Sequence, residues 1–205
     1  LSWVYYEASM DSFCLGVDQR YLELCEQYKN ASLEEQADAQ YNLGFDYLGI
    51  GNTQMAIDHF EQSLKFVEKD SIGLLSKRVD CYNALGAPYW RHGLVTKAKY
   101  AMLKSSELSL LLEDTVMANF YSSNAIGNLS LVYEDEGNLA KSMELLEEAI
   151  DLRMESLPHV VETYDRDIQQ RHLVSNYHNL SALYLSIGDL ERALSMTDYV
   201  YSLQQ

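Results

Sequence analysis

The sequence predicts an all-α fold in which about five antiparallel helix pairs stack into a solenoid. Three observations lead to this prediction. The chain of 205 residues is 47% hydrophobic but contains only 2 Pro and 10 Gly, which favours long helices over a turn-rich β fold. One short motif recurs four times along the chain. After each copy, a second segment carries a small residue and, four positions later, a larger one.

The recurring motif reads Leu, a small residue, two variable residues, Tyr, three variable residues and Gly. Its first copy contains Leu43, Gly44, Tyr47 and Gly51, and the other copies occupy residues 85–93, 129–137 and 180–188. Leu and Tyr lie four residues apart and therefore share one face of a helix. The small residue lets a neighbouring helix approach closely, and Gly ends the helix because it tolerates the left-handed backbone conformation.

A second helix is expected after each of these Gly residues. Asn52, Asn138 and Asp189 directly follow a motif Gly, and their side chains are suited to capping a helix N-terminus. Within the second helix, a small residue followed by a larger one at i+4 suits close packing of two antiparallel helices. These residues are Ala56 and Phe60, Ala98 and Met102, Ser142 and Leu146, and Ala193 and Thr197, with Thr197 the weakest match.

An incomplete pair is expected before the four motif copies. Its second helix would span residues 17–29, after Gly16 and with Asp18 as its cap. Pro158 predicts a break before the last pair, and Pro88 predicts a kink or break within its helix. The other helices are expected near residues 33–49, 52–68, 71–92, 95–112, 115–136, 139–155, 160–187 and 190–204. The whole chain, 1–205, is thus predicted to form a single domain with pairs near 1–30, 33–68, 71–112, 115–155 and 160–204.

The motif resembles the tetratricopeptide repeat (TPR), and the resemblance covers nearly the whole chain. That family's pattern is Trp…Leu-Gly-x-x-Tyr…Gly…Ala…Phe…Ala…Pro, but here Gln40, Tyr82, Ile126 and Tyr177 occupy the Trp position and the closing Pro is missing. The motif Gly residues are 42, 44 and 51 positions apart, compared with a standard period of about 34. These long repeats are similar to those of kinesin light chain and of bacterial peptide-pheromone receptors. The resemblance implies a right-handed superhelical solenoid whose first helices line a concave peptide-binding groove.

In this family's register, the residue before each motif Leu faces the groove. Asn42, Ala84, Asn128 and Asn179 occupy that position. An amide side chain can donate and accept a hydrogen bond at once, so a ladder of Asn residues suits the backbone of an extended peptide. The alternative is that these amides bond to neighbouring helices or to solvent. The other groove candidates are Asp38, Tyr41, Phe45, Asn83, Ala87, Trp90, Asn124, Leu131, Ser175 and His178.

The formal net charge of −16 at pH 7 bears on the kind of partner. A strongly acidic surface repels phosphate backbones, so direct binding of nucleic acid is not expected. The charge would attract a basic segment of a protein, or it serves only to keep an exposed scaffold soluble. The predicted function is a protein- or peptide-binding scaffold. The alternatives are a sensory or regulatory input domain of a larger bacterial signalling protein, and a structural module that self-associates through some of its 16 Tyr.

Catalysis, a cofactor and a metal site are not expected. The sequence contains no phosphate loop, dinucleotide fingerprint or nucleophile elbow, and its five His lack the spacing of a zinc site. Cys14, Cys25 and Cys81 are expected to be free thiols, which favours the cytoplasm, with the extracytoplasmic part of a bacterial sensor as the alternative. The chain begins without Met and is therefore expected to be a piece of a longer protein. No apolar run approaches the roughly 20 residues that span a bilayer.

Overall fold

The fold was examined in a computed structural model, which describes the backbone of residues 2–28, 30–70, 72–161 and 163–203 and the side chains of residues 14–28, 30–70, 72–161 and 166–202. Within these ranges the chain forms α-helices joined by short turns. The helices are α1 (Ser2–Gln27), α2 (Leu33–Gly49), α3 (Thr53–Val67), α4 (Leu75–Arg91), α5 (Val95–Ser109), α6 (Thr115–Asp135), α7 (Leu139–Ser156), α8 (Thr163–Ser186) and α9 (Leu190–Leu203). The prediction of an all-helical chain of antiparallel helix pairs is confirmed.

The helices divide into two compact units. The first unit is Leu1–Ala101 and the second is Met102–Gln205, so the boundary lies within α5. In the first unit, α2 packs on α1 and on α3, and α3 packs on α4. In the second unit, α7 packs on α6 and on α8, and α8 packs on α9. The predicted organisation of residues 1–205 as a single domain stays a prediction.

The N-terminal segment differs from the prediction. A helix pair with a break at Gly16 was expected over residues 1–30, but α1 is a single helix that continues through Gly16 and Asp18. Nothing lies within 4 Å of the position that a Cβ would occupy on Gly16. Gly16 is therefore accommodated inside a helix because no close contact or left-handed turn acts on it, and Asp18 does not cap a helix there.

The turn within each pair follows the prediction. Gly51, Gly93, Gly137 and Gly188 have positive φ angles of 78°, 77°, 76° and 82°, a conformation in which other residues are strained. After three of these Gly residues, the next helix begins with a side-chain cap. Asn52 accepts a hydrogen bond from the backbone N–H of Met55, Asn138 from that of Lys141 and Asp189 from that of Arg192.

Pro88 does not break its helix. The structure places it, buried, within α4, which continues to Arg91. The predicted break is wrong. Proline cannot donate the hydrogen bond to the carbonyl four residues earlier, but it can still accept one. The carbonyl of Pro88 accepts the backbone N–H of His92, which closes the end of the helix.

The predicted pairing of small and large residues is visible in the first unit. Phe60 on α3 is fully buried, and its ring lies against Gly44 on α2. A Cβ on Gly44 would lie 2.3 Å from Cε1 of Phe60. The ring also packs against Tyr41 and Phe45, with centroid distances of 5.6 and 5.1 Å. Gly44 is needed here because the Phe60 ring occupies the space that a side chain would take.

The second unit has an aliphatic core between α7, α8 and α9. Its fully or almost fully buried members include Leu146, which follows Ser142 in the predicted small–large pair. Thr197, the weakest predicted match, lies at the exposed side of α9 and hydrogen-bonds to the carbonyl of Ala193. The remaining buried members of this core are Ile150, Leu173, Leu180, Leu183, Tyr184 and Ala193.

The motif Tyr also links successive pairs within each unit. In the first unit, the hydroxyl of Tyr89 donates to Oε1 of Glu61 at 2.7 Å, and Lys97 lies over the Tyr89 ring. In the second unit, the hydroxyl of Tyr184 donates to Oε1 of Glu147 at 2.7 Å, and Arg192 lies over the Tyr184 ring. Each arrangement ties a first helix to the second helix of the preceding pair, and we call these two arrangements the tyrosine links.

Candidate peptide-binding surface

The predicted Asn residues occupy equivalent positions on the first helices of three pairs. Asn42 on α2 is exposed, whereas Asn128 on α6 and Asn179 on α8 are half-buried. Each directly precedes a motif Leu whose side chain is almost fully buried. Among the residues that the structure describes, none makes a hydrogen bond with these three side-chain amides. Their donors and acceptors are therefore available to a ligand or to water.

The other candidates on α2 form part of the surface of the first unit. Tyr41 is half-buried and meets Phe45 edge to face at a centroid distance of 5.0 Å. Phe45 remains 48% exposed, although it contacts the buried Phe60. Asp38 forms an ion pair with Nζ of Lys77 on α4 at 2.5 Å. Burial opposes the charged form of Lys77, but this bond to Asp38 raises the pKa of the ammonium.

Asn83, Trp90 and His178 have different environments. Asn83 on α4 is half-buried, and its Oδ1 is buried without a hydrogen-bond partner among the described residues. Trp90, also on α4, is half-buried. His178 on α8 is exposed, directly before Asn179. A buried carbonyl oxygen without a donor is unfavourable, so Asn83 is the predicted residue whose polar group is least satisfied within the chain.

The side chain of Asn124 is bound by the buried guanidinium of Arg153. It lies on α6 one turn before Asn128, and its Oδ1 accepts a short hydrogen bond from Nη2 of Arg153 on α7. Arg153 is only 2% exposed, and its Nε and Nη1 are buried without a hydrogen-bond partner among the described residues. Burial lowers the pKa of this guanidinium to about 10. In the described part of the chain no carboxylate forms an ion pair with it, and its side-chain acceptor is the neutral amide of Asn124.

Other buried polar side chains surround Arg153 in the second unit. Oγ of Ser156 lies 3.0 Å from Oε1 of Gln169 and 3.2 Å from the carbonyl oxygen of Arg153, and its one O–H is shared between these two acceptors. Asn176 on α8 lies against Gly127 on α6, where a Cβ would be 3.3 Å from its Oδ1. The Nδ2 of Asn176 is buried and has no hydrogen-bond partner in the described ranges. A set of buried polar side chains thus lies among α6, α7 and α8, in addition to the aliphatic core of this unit. We call Asn124, Arg153, Ser156, Gln169 and Asn176 the polar layer.

A cavity of about 180 Å³ lies between the N-terminal ends of α6 and α8. Five of its six lining residues are apolar, and the sixth is the amide of Gln169. The lining residues are Val116, Met117, Phe120, Val160, Ile168 and Gln169.

A second cavity, of about 350 Å³, lies in the first unit beside the turn between α1 and α2. Its polar wall is already engaged, because the carboxylate of Glu35 accepts the backbone N–H of Ser32 in a capping box at the start of α2. Its lining residues are Tyr21, Leu24, Cys25, Tyr28, Asn30, Ala31 and Glu35.

Several classes of site find no counterpart in the described part of the chain. No group of three or more His, Cys, Asp or Glu side chains is arranged to hold a metal ion there. None of the helices described above is both long and apolar enough to cross a membrane. The three Cys are free thiols, with Cys14 exposed and Cys25 and Cys81 buried.

Sequence reasoning missed Arg153 and Gln169. Both are polar residues at buried positions. The signal for Arg153 was present in the sequence, because it follows Leu146 and Ile150 at helical spacing on the buried stripe of α7. A charged residue on such a stripe indicates either a buried polar contact or a functional site.

Comparison with known proteins supports the repeat recognised in the sequence. The family model for the tetratricopeptide repeat matches residues 123–153, which include most of α6 and α7. No curated protein matches the chain.

Solved structures resemble the chain over nearly its full length. BtubC (BKLC) from P. vanneervenii has a TM-score of 0.76 at 18% identity, covering 92% of this chain and 71% of that protein. A kinesin light chain candidate from Podosopora anserina, with nearly identical TPR-like repeats, has a TM-score of 0.71 at 15% identity, covering 100% and 92%. MamA has a TM-score of 0.63 at 18% identity, covering 92% and 87%. At these identities the likeness establishes the tetratricopeptide-type fold.

Proposed function

Because the chain is built of tetratricopeptide-type helix pairs, we propose that it binds a peptide segment of another protein along its first helices. The observation that carries this proposal is the set of unengaged amides of Asn42, Asn128 and Asn179 at equivalent positions. Water can satisfy these amides in the free protein, and a peptide backbone can replace that water with its own N–H and C=O groups.

The proposal is most specific in the second unit. Asn128 and Asn179 lie on α6 and α8, which are neighbours that contact each other. An extended peptide carries one donor and one acceptor per residue, so two amides can each take up a backbone N–H and C=O. The first unit offers Asn42 beside the aromatic residues Tyr41 and Phe45, which suit an apolar side chain of a ligand.

The charge of the chain favours a basic partner. Its formal net charge is −16, and four of its 15 Lys and Arg residues, Lys77, Lys97, Lys104 and Lys141, form ion pairs within the chain. A field of this sign accelerates the approach of a positively charged segment and slows that of an acidic one. The partner we propose is accordingly a Lys- or Arg-containing peptide in extended conformation.

The test uses random linear peptides displayed on phage, selected on the full chain. Synthetic copies of the enriched peptides are then measured by fluorescence anisotropy against the wild type and against the double variant Asn128→Ala with Asn179→Ala. Each lost hydrogen bond costs about 0.5–1.5 kcal/mol. We therefore expect the double variant to bind about tenfold or more weakly.

The matched control is Gln62→Ala, which removes an exposed amide from the second helix α3. This variant should bind the selected peptides as the wild type does. Equal affinity of the wild type and the double variant would show that the Asn residues do not contact the peptide. Thermal unfolding of every variant confirms that a change in affinity is not a loss of fold.

A further inference from the structure

The cavity between α6 and α8 lies on the same helix faces as the proposed Asn contacts. On α6, Phe120, Asn124 and Asn128 follow one another at intervals of four residues and therefore share a face. On α8, Ile168 lies eleven residues before Asn179, which is close to three helical turns. Residues that line the cavity are thus continuous with the residues proposed to bind a peptide backbone.

The size and lining of the cavity suit one bulky side chain. Its volume of about 180 Å³ is smaller than the roughly 300–1,000 Å³ of sites for small molecules. Val160 is 5% exposed at its wall, and Arg166 donates from Nη2 to the Val160 carbonyl at 2.7 Å, which holds this part of the wall in place. Met117 remains 39% exposed at the cavity, so part of the lining is open to a ligand.

Gln169 supplies a polar contact inside this apolar lining. Its side chain is 4% exposed, and its Oε1 accepts the hydroxyl of Ser156 at 3.0 Å. Its Nε2 has no hydrogen-bond partner among the residues that the structure describes. The Nε2 atom is not fully enclosed, so a ligand carbonyl beside the cavity can accept a hydrogen bond from it.

The charge around the cavity indicates which residues would flank the apolar side chain of a ligand. Among the described side chains of the two segments that contribute its wall, three are acidic and one, Arg166, is basic. Arg166 is already bonded to the carbonyl of Val160. The three acidic residues are Glu113, Asp114 and Asp167. A ligand segment with Lys or Arg near its apolar residue would complement this charge.

We propose that this cavity is the anchor site for a Leu, Ile or Met side chain of a basic peptide. The peptide backbone then continues along α6 and α8 to Asn128 and Asn179, and a carbonyl beside the anchor accepts the Nε2–H of Gln169. This assignment rests on the proposed function and adds the side-chain specificity that the Asn contacts by themselves do not provide. The partner is another protein that carries such a segment.

The test is the same phage selection on the full chain, followed by affinity measurements. The enriched peptides are expected to share an aliphatic residue beside Lys or Arg. Replacing that aliphatic residue by Ser in a synthetic peptide should weaken binding at least about tenfold, because a fully buried aliphatic side chain contributes most of such an anchor. Peptides in which the Ser copy binds as tightly as the original would overturn the anchor assignment.

Variants of the protein provide the second arm. Met117→Lys places an ammonium at the cavity and should weaken the selected peptides about tenfold or more. Met154→Lys is the matched control, since Met154 is also 39% exposed and lies in the same unit but does not line the cavity. The control should leave the affinity unchanged. Equal effects of both substitutions, or no effect of either, would sink the assignment.

The outcomes separate this assignment from the proposed function. If the Asn128 and Asn179 double variant loses affinity while Met117→Lys keeps it, the peptide surface stands and the anchor is wrong. If the wild type enriches no peptide, both fail. If light scattering shows a wild-type dimer that Met117→Lys converts to a monomer, the surface is occupied by a second copy of this chain, and the anchor for a partner peptide is again overturned.

Discussion

The space behind the first helices is filled differently in the two units. In the first unit, Phe60 lies against Gly44 and packs with Tyr41 and Phe45, so the helices are joined by aromatic contact. In the second unit, Leu146 occupies the register position of Phe60 and belongs to the aliphatic core, and a separate polar layer around Arg153 lies among α6, α7 and α8. The same repeat motif thus supports two kinds of interior, one that contributes mainly stability and one whose hydrogen bonds are incomplete.

The largest expected effect comes from substituting Phe60 and Arg153, the central residues of these two interiors. Phe60→Ala should lower the free energy of unfolding by about 3–5 kcal/mol, because it leaves a cavity among Gly44, Tyr41 and Phe45. Arg153→Met should change it by no more than about 1 kcal/mol, or should increase it, because it removes a buried and unpaired charge. Urea unfolding followed by circular dichroism measures both changes.

Both outcomes are open to contradiction. If Arg153→Met proved as destabilising as Phe60→Ala, the polar layer would be an essential structural network, and the contrast between the units would disappear. Arg153→Ala is a less suitable variant because it would combine the loss of the charge with a large cavity.

A smaller effect is expected at the two Gly residues that face these interiors. Gly44→Ala should destabilise the protein by about 1–3 kcal/mol, since its Cβ would overlap the buried ring of Phe60. Gly127→Ala should be nearly neutral. Its Cβ would lie 3.3 Å from Oδ1 of Asn176, and the higher helix propensity of Ala, about 1 kcal/mol, offsets that contact.

Thermal unfolding of the two Gly variants beside the wild type gives the comparison. A midpoint for Gly127→Ala that falls as far as that for Gly44→Ala would mean that Asn176 is held as rigidly as Phe60.

The smallest effect on stability is expected at the tyrosine links, which both units contain. Burial and the hydrogen bond to Glu61 raise the pKa of Tyr89, and burial and the bond to Glu147 raise that of Tyr184. The folded-state pKa lies above the unfolded value of about 10. The stabilisation is therefore complete at a pH below the unfolded-state pKa and is lost as the pH rises through the folded-state pKa. Tyr89→Phe and Tyr184→Phe should each cost about 0.5–1.5 kcal/mol at neutral pH.

Measuring the free energy of unfolding from about pH 8 to about pH 11 tests the sign of this effect, since the interval brackets the usual tyrosine pKa of about 10. Each Phe variant should lose less stability over this interval than the wild type does. A wild type and variants that decline in parallel would show that the Tyr–Glu hydrogen bonds do not contribute to the alkaline transition.

Much of the scaffold could be predicted because its signals are local. The Gly residues at 51, 93, 137 and 188 adopt the positive φ angles that their place in the motif requires, and Asn52 and Asn138 cap helices as expected. The N-terminal segment was mispredicted because Gly16 carries no signal that separates a helix end from a tolerated position inside a helix. The break expected at Pro88 is absent, since α4 continues to Arg91, and the kink that was its alternative stays a prediction.

The candidate surface was predictable in part. The repeat register identified Asn42, Asn128 and Asn179, whose side chains make no hydrogen bond within the described part of the chain, and whether a peptide contacts them stays a prediction. It also identified Asn124 and Asp38, but it could not reveal that Arg153 and Lys77 engage them. Those partners lie 29 and 39 residues away in the sequence. Contacts of this kind depend on side chains from different helices, which a motif on one helix does not encode.

The sequence by itself determined the helix pairs, their turns and caps, the register of the Asn residues and the acidic charge, because each follows from neighbouring residues or from composition. The tertiary structure alone decided which polar groups are buried without partners and where the cavity beside Gln169 lies. Those features arise from the distances between packed helices. The volumes of the side chains in contact, such as Gly44 and Phe60, set these distances. The repeat pattern does not fix those volumes.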